Sequence, residues 1–204
     1  MGPNSQVKCY KAHLVAKGFS QVEGIDFNEM YSTIVVHSTV QTLLALTYTN
    51  GWHIHQMDAK SAFLNGDLKE EIYIKIPPGQ NRPEKHVWWL RKALYSLKQA
   101  SREWYTKVHE VIVGLGYKAL VADKCVFTHI DINGHLIIVA VYMNNFFFIS
   151  KSLKFIKSFK SEMSGHFKMK NLGLAKWILQ MELNHDLLNS ITTLSQSQYI
   201  KEIL

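Results

Sequence analysis

Leu136-Ile137-Ile138-Val139-Ala140-Val141-Tyr142-Met143-Asn144-Asn145-Phe146-Phe147-Phe148-Ile149-Ser150 decides the architecture. Two strand-length apolar runs flank a short polar tip, the pattern of a β-hairpin. Asparagine tolerates the positive φ that a tight turn needs, so the tip is expected at Met143-Asn144-Asn145. The first run is the longest apolar one in the chain. None reaches the roughly 18 residues of a membrane span.

Working outward, residues 151 onward read as a lysine-rich helix that buries Phe155, Phe159 and Met163. Residues 177–183 read as one strand, and a capped helix starts near Ser195. On the N-terminal side, Trp104, Val108, Val111 and Leu115 recur at helical spacing over 100–115, and Gly116 closes that helix. Residues 71–76 read as a strand ended by Pro77-Pro78-Gly79, and 53–58 as a strand with Ile54 and Gln56 on one face. Residues 38–49 read as a helix capped by Ser38 or Thr39, with Leu43, Leu44 and Leu46 on its apolar side. A short strand at 11–15 leads into a turn at Gly18. This mixture predicts an α+β fold with a central antiparallel sheet and helices packed on one face.

The chain has 204 residues, 47% of them hydrophobic, which suffices for one domain or two tightly packed subdomains. Its formal net charge is +7. Between Lys151 and Lys176 stand seven lysines against one acid, Glu162. Such a bias suits a polyanionic partner, nucleic acid or an anionic membrane surface, and equally a solvated helix face. Cys9 and Cys125 have no metal-like or redox-like spacing, so reduced thiols in an intracellular setting are expected. His53 and His55 share a strand face, but no further ligand completes a metal set, and they read as ordinary strand histidines. Trp88 and Trp89 read as packing residues, with an aromatic platform for single strands as the alternative. Unaided, the residues define a basic α+β domain.

Two stretches carry more. Gln56-Met57-Asp58-Ala59-Lys60-Ser61-Ala62-Phe63-Leu64-Asn65-Gly66 and Leu94-Tyr95-Ser96-Leu97-Lys98-Gln99-Ala100-Ser101-Arg102 closely resemble the reverse transcriptase of copia-type LTR retrotransposons. Lys11-Ala12-His13-Leu14-Val15-Ala16-Lys17-Gly18 is similar to that family's KARLVAKG, and Tyr142-Met143-Asn144-Asn145 stands where the family has YVDD. The similarity continues in order to Leu194-Ser195-Gln196-Ser197-Gln198-Tyr199-Ile200. The resemblance implies a fingers-and-palm polymerase fold over residues 1–204, the two parts interleaved, without thumb, connection or RNase H regions. It implies an RNA template, a DNA primer and deoxynucleoside triphosphates as partners. Two Mg²⁺ ions would be held by Asp58 and by acids at positions 144 and 145. It places Lys11 and His13 near the triphosphate and Phe63 under the sugar. Tyr95, Ser96, Lys98 and Gln99 would line the nucleotide pocket, and the lysines after the hairpin would meet template–primer phosphates. It also implies an intracellular, cytoplasmic location, in a virus-like particle, and no membrane partner.

This copy departs from the pattern. Asn144 and Asn145 replace two acids, so Asp58 alone keeps its charge at the metal position, and no useful polymerase activity is expected. Cys9, His13 and Gln41 stand where the family usually has Arg, Ser96 where it has Gly, and Ser101 where it has Pro. Each of these is one C-to-T or G-to-A change away, the signature of deamination in a decayed genomic copy; Thr33 and Gln180 do not fit it. Three readings remain: a reverse transcriptase with a dead centre, a noncatalytic nucleic-acid-binding relic, and an unselected translated fragment.

Overall fold

Residues 136–150 are apolar at odd and even positions alike, and strand side chains alternate between faces, so both faces of this hairpin need cover. The computed structural model describes residues 10, 12–80, 86–179, 181–186 and 191–203. In chain order the elements are α1 (His37–Thr49), β1 (His53–Ala59), β2 (Asp67–Lys75), β3 (Val87–Lys92), α2 (Ala100–Gly114), β4 (Lys118–Ala119), β5 (Val126–Ile130), β6 (Leu136–Tyr142), β7 (Asn145–Ser150), α3 (Leu153–His166), β8 (Met169–Leu174), β9 (Trp177–Ile178), β10 (Met181–Asp186), β11 (Ile191–Ser195) and α4 (Ser197–Ile203). They fall into two compact units. One comprises the stretch up to Tyr31 with Phe63–Trp104; the other comprises Ser32–Ala62 with the chain from Tyr105 onward.

The second unit holds a six-stranded antiparallel sheet in the order β4-β5-β6-β7-β1-β8, and a small sheet β11-β10-β9. On one face Ile54, Ile138, Phe147 and Ile149 pack with Val40, Leu43 and Leu44 of α1. On the other, Phe148 meets Phe159 of α3 with ring centres 5.6 Å apart. On that same face Phe127 meets His109 of α2, also at 5.6 Å. Helices therefore cover both faces, not the single face expected, because the hairpin's two apolar parities each need a partner. Burying one such phenylalanine contributes roughly 2–3 kcal/mol.

Local differences have local causes. Helix α1 begins at His37 with no side-chain cap; instead the Val36 N–H donates to Asp123 Oδ2 at 2.9 Å. Leu46 is exposed, and Thr47 is buried in its place with its hydroxyl donating to the Leu43 carbonyl at 2.6 Å. In α2 the buried position is Ile112 rather than Val111, and in α3 Ile156 is buried while Phe155 is half-buried. Residues 177–183 are not one strand: Ile178 pairs with Met181 across a turn in which Leu179 has φ 50°. Strands β3, β4, β5, β8 and β11 are not anticipated by the sequence pattern. Among the described residues the expected strand at 11–15 reduces to a single bridge, Val15 to Tyr95; Lys11, Cys9 and Gln180 lie outside them.

In the first unit β2 and β3 form a two-stranded ribbon. Its inner face joins Ile72, Ile74 and Leu90 to Ala93, Leu94 and Leu97. Beside this core, Arg102 donates from Nη2 to Glu70 Oε1 and from Nε to Glu103 Oε1, both at 2.7 Å, and from Nη1 to the Glu29 carbonyl at 2.9 Å.

Candidate active site

β1 is the strand that assembles the site, because it lies between β7 and β8. Asp58 stands directly opposite Asn145 on β7 and Lys170 on β8, and Asn145 stands opposite Tyr142 on β6. Opposed residues of antiparallel strands share a face, so Tyr142, Asn145, Asp58 and Lys170 form one lateral row. The two turn residues are Met143 and Asn144, and the positive φ, 54°, belongs to Met143, not to either asparagine. That is the pattern of a two-residue turn with its left-handed position first. Asn145 already belongs to β7. The Ala59 N–H donates to the Asn144 carbonyl at 2.8 Å, which ties the end of β1 to the tip.

Four side chains then form a directed chain of hydrogen bonds. Gln56, buried two residues before Asp58 on the same face, donates from Nε2 to Asn145 Oδ1 at 2.9 Å. Asn145 Nδ2 donates to Asn144 Oδ1 at 3.4 Å, and Asn144 Nδ2 donates to Asp58 Oδ2. Both asparagine amide oxygens are thus already acceptors, and the chain ends with the Asn144 amide N–H aimed at the one carboxylate. Turning the Asn144 amide over would set oxygen against oxygen, so the charge on Asp58 fixes the direction. Burial raises the Asp58 pKa above its ordinary value, although Lys170 and Lys60 pull the other way.

The residues expected around a nucleotide belong to the first unit, apart from Lys11, which is not described. His13 and Phe63 both meet the Tyr95 ring edge-on, with centres 5.5 and 5.2 Å away. Ala16 N–H donates to the Tyr95 carbonyl at 2.9 Å. Ser96 follows with φ 72°. Its carbonyl oxygen lies 1.7 Å from where a Cβ on Gly18 would sit, so only glycine fits at 18. Lys98 is exposed. Gln99 is fully buried: it accepts from Gln21 Nε2 at 3.2 Å and donates to the Asp26 carbonyl at 3.0 Å, so its amide serves the framework.

On the opposite face of β1, His55 holds a different network. Lys160 of α3, buried at 7% exposure, places Nζ 3.2 Å from His55 Nδ1 and donates to Asn171 Oδ1 at 2.7 Å. Burial first, then Lys160, His53 and Lys157, lower the His55 pKa to about 4; burial also lowers that of Lys160. Nδ1 of His55 is therefore engaged by an ammonium. Among the described residues no three His, Cys, Asp or Glu side chains form a group able to hold a metal ion. Cys125 is buried and its thiol pushed up to about 12, by burial and then by Asp123, which removes it as a nucleophile. Gln56 was legible from strand alternation alone, whereas Lys160 and Lys170 become neighbours of the site only through long-range pairing.

The model of the family described as reverse transcriptase (RNA-dependent DNA polymerase) matches residues 3–204. The chain belongs to this reverse transcriptase family. It is 38% identical over 197 residues to the retrovirus-related Pol polyprotein from transposon TNT 1-94 of Nicotiana tabacum, covering 96% of this chain and 15% of that protein. It is 30% identical over 198 residues to the Pol polyprotein from transposon RE1 of Arabidopsis thaliana, 96% of this chain and 13% of the relative. With the transposon Ty1-BL Gag-Pol polyprotein of Saccharomyces cerevisiae the figures are 30% over 195 residues, 94% and 10%. The chain thus spans about a seventh or less of these relatives. No solved structure gives a significant match. Reverse transcriptases generally use Mg²⁺. The described residues around Asp58 do not fit it: one carboxylate is present, and an amide N–H already occupies one of its oxygens. Among the described residues no helix is long and apolar enough to cross a membrane.

Proposed function

We propose that this chain is the fingers-and-palm part of a retrotransposon reverse transcriptase that engages template–primer but does not add nucleotides. The observation that carries the reading is the hydrogen bond from Asn144 Nδ2 to Asp58 Oδ2. Where the family motif has two acids, this chain turns amide hydrogens on the remaining one. Metal ions supply several kcal/mol of transition-state stabilisation in such chemistry, and each ~1.4 kcal/mol is tenfold in rate, so the deficit is about a thousandfold or more. In this reading Phe63 and Tyr95 form the floor of a nucleotide pocket, with His13 and Ser96 at its edge and Lys98 near the phosphates. Lys151, Lys154 and Lys157, all exposed, meet the duplex backbone. Lys160 takes no part in that contact, being turned inward to His55.

The double substitution Asn144→Asp with Asn145→Asp tests this. The parent chain is expected to show no Mg²⁺-dependent primer extension and no Mn²⁺ binding by electron paramagnetic resonance that Asp58→Asn removes. The double variant is expected to bind Mn²⁺. Without metal it should be about 1 kcal/mol less stable, because like charges then stand side by side across strands, and Mn²⁺ should restore its Tm. DNA synthesis by the unaltered chain, or Mn²⁺ held by it at Asp58, overturns the reading.

A further inference from the structure

The ribbon β2–β3 divides its side chains sharply. Along β2 residues 68, 70, 72 and 74 face inward, while Lys69, Glu71, Tyr73 and Lys75 are exposed. On β3, Leu90 joins the core and Trp88 is half-buried, whereas Trp89 and Arg91 are exposed. Tyr73 stands directly opposite Trp89, and the two rings are 56% and 53% exposed. The Arg91 guanidinium lies over the Trp89 ring, 5.3 Å from its centre. The core is complete without these groups: Ile72, Ile74 and Leu90 already supply the inner face. Of the two tryptophans read as packing residues, Trp89 thus lies on the solvent side.

The charge on this face has a sign. Lys69, Lys75 and Arg91 outnumber Glu71, whose Oε2 lies 3.5 Å from the Tyr73 hydroxyl, and Asp67 at the ribbon's end is paired with Lys92 at 4.0 Å. Lys69 and Lys75 are six residues apart on an extended strand, about 20 Å. Neighbouring aromatic rings, a stacked guanidinium and cations spread on either side suit one chemistry, unpaired bases on a phosphate backbone. A duplex hides its base faces, and an acidic peptide has no use for the rings. We infer that the outer face of the β2–β3 ribbon binds single-stranded nucleic acid, bases stacking on Trp89 and Tyr73 and phosphates meeting Lys69, Lys75 and Arg91. The inference rests on the template-binding part of the function proposed above and adds the surface that takes an unpaired strand.

The test is fluorescence anisotropy of the full 204-residue chain with labelled oligo(dT), oligo(rU), a blunt RNA–DNA hybrid and the same hybrid with a single-stranded template overhang. Both single strands should bind, and the ratio of their affinities tells RNA from DNA. Trp89→Ala should weaken single-strand and overhang binding roughly tenfold or more and leave the blunt hybrid unchanged. Trp89→Phe should recover most of the loss, and Lys75→Gln with Arg91→Gln should lower the salt slope by about 1.4. The charge variants lie on the surface, so they keep the test decisive if Trp89→Ala fails to fold. A folded Trp89→Ala chain with parental single-strand affinity overturns the inference, as does a self-association that Trp89→Ala abolishes while strand binding persists. Blunt-hybrid binding without single-strand binding overturns it and leaves the proposed function standing; binding to neither overturns both.

Discussion

Two polar networks, one in each unit, solve the burial of charge in opposite ways. At the tip of β6–β7, three amides pass hydrogen bonds along to a single carboxylate, Asp58. Around Arg102, two carboxylates share one guanidinium: Glu103 is 2% exposed, the Glu70 side chain 15% exposed, and Glu70 Oε2 is buried with no hydrogen-bond partner among the described residues. Burial pushes the Glu70 carboxyl up, but hydrogen bonding to Arg102 and its charge outweigh this and leave the group below its ordinary value. The first network is satisfied without an ion, as a centre that had to gather divalent cations would not be. The second is held by a charge it cannot lose. Neutral amides can replace acids where the acids served chemistry, at little cost to folding; a charge that closes a framework has no such substitute.

The largest expected effect follows from that asymmetry. Arg102→Met leaves Glu70 and Glu103 facing each other with no cation, and breaking a buried pair by removing one partner costs about 3 kcal/mol. Urea unfolding should show the loss. A further change of Glu70 and Glu103 to glutamine should recover much of it. Arg102→Met with parental stability would mean the cluster is solvated and the contrast between the two networks is false.

A smaller effect sharpens the comparison within the second unit, where β1 carries the amide chain on one face and the His55–Lys160 pair on the other. Unfolded, His55 takes up a proton near its ordinary 6.5; folded, burial and Lys160 hold this to about 4. Between those values the unfolded chain binds more protons, so stability falls as pH drops from 6.5 toward 4 and the loss is complete below. Allowing for solvent screening of a half-buried ring, the effect is about 1 kcal/mol. Lys160→Met should reduce this slope without abolishing it, because burial, the larger cause, stays while the ammonium is gone. Asn171 Oδ1 still accepts from the Gly173 N–H at 3.0 Å, and only His55 Nδ1 loses a partner. Equal slopes for parent and variant between pH 7 and 4.5 would show that the pair is not coupled.

Local periodicity made the hairpin, α2, α3 and β1 legible, since each carries its own apolar pattern over seven or more residues or a sharp turn. The motif around Asp58 and the Tyr142–Asn145 tip likewise points to three candidate residues, Asp58, Asn144 and Asn145, that the pairing of β1 with β7 brings together. What could not be read depends on partners far along the chain. β3, Val-Trp-Trp-Leu-Arg-Lys, alternates too weakly to show by itself and exists through its pairing with β2. Lys160 reads as a solvent-facing lysine until β1 and β8 bring His55 and Asn171 beside it. The direction of the Asn144 hydrogen bond depends on the geometry of the row, which no residue count contains. Cover on both sheet faces is implicit in the unbroken apolar runs of β6 and β7, whereas the mix of elements alone suggests helices on one face.

The smallest expected effect lies in the first unit. Ser96, with a φ of 72°, is a left-handed residue that also brings its carbonyl against Gly18. A side chain in that region costs roughly 1–2 kcal/mol. Glycine in its place would relieve this but gives back about 0.4–1 kcal/mol through greater freedom of the unfolded chain. Ser96→Gly should therefore stabilise by about 0.5 kcal/mol, seen as a small rise in the urea midpoint with an unchanged m-value. Ser96→Ala should gain nothing, because it keeps the Cβ that causes the strain. If alanine stabilises as much as glycine, the serine hydroxyl is the source of the cost and not the backbone. The two substitutions together thus separate a steric demand of the turn from a polar one.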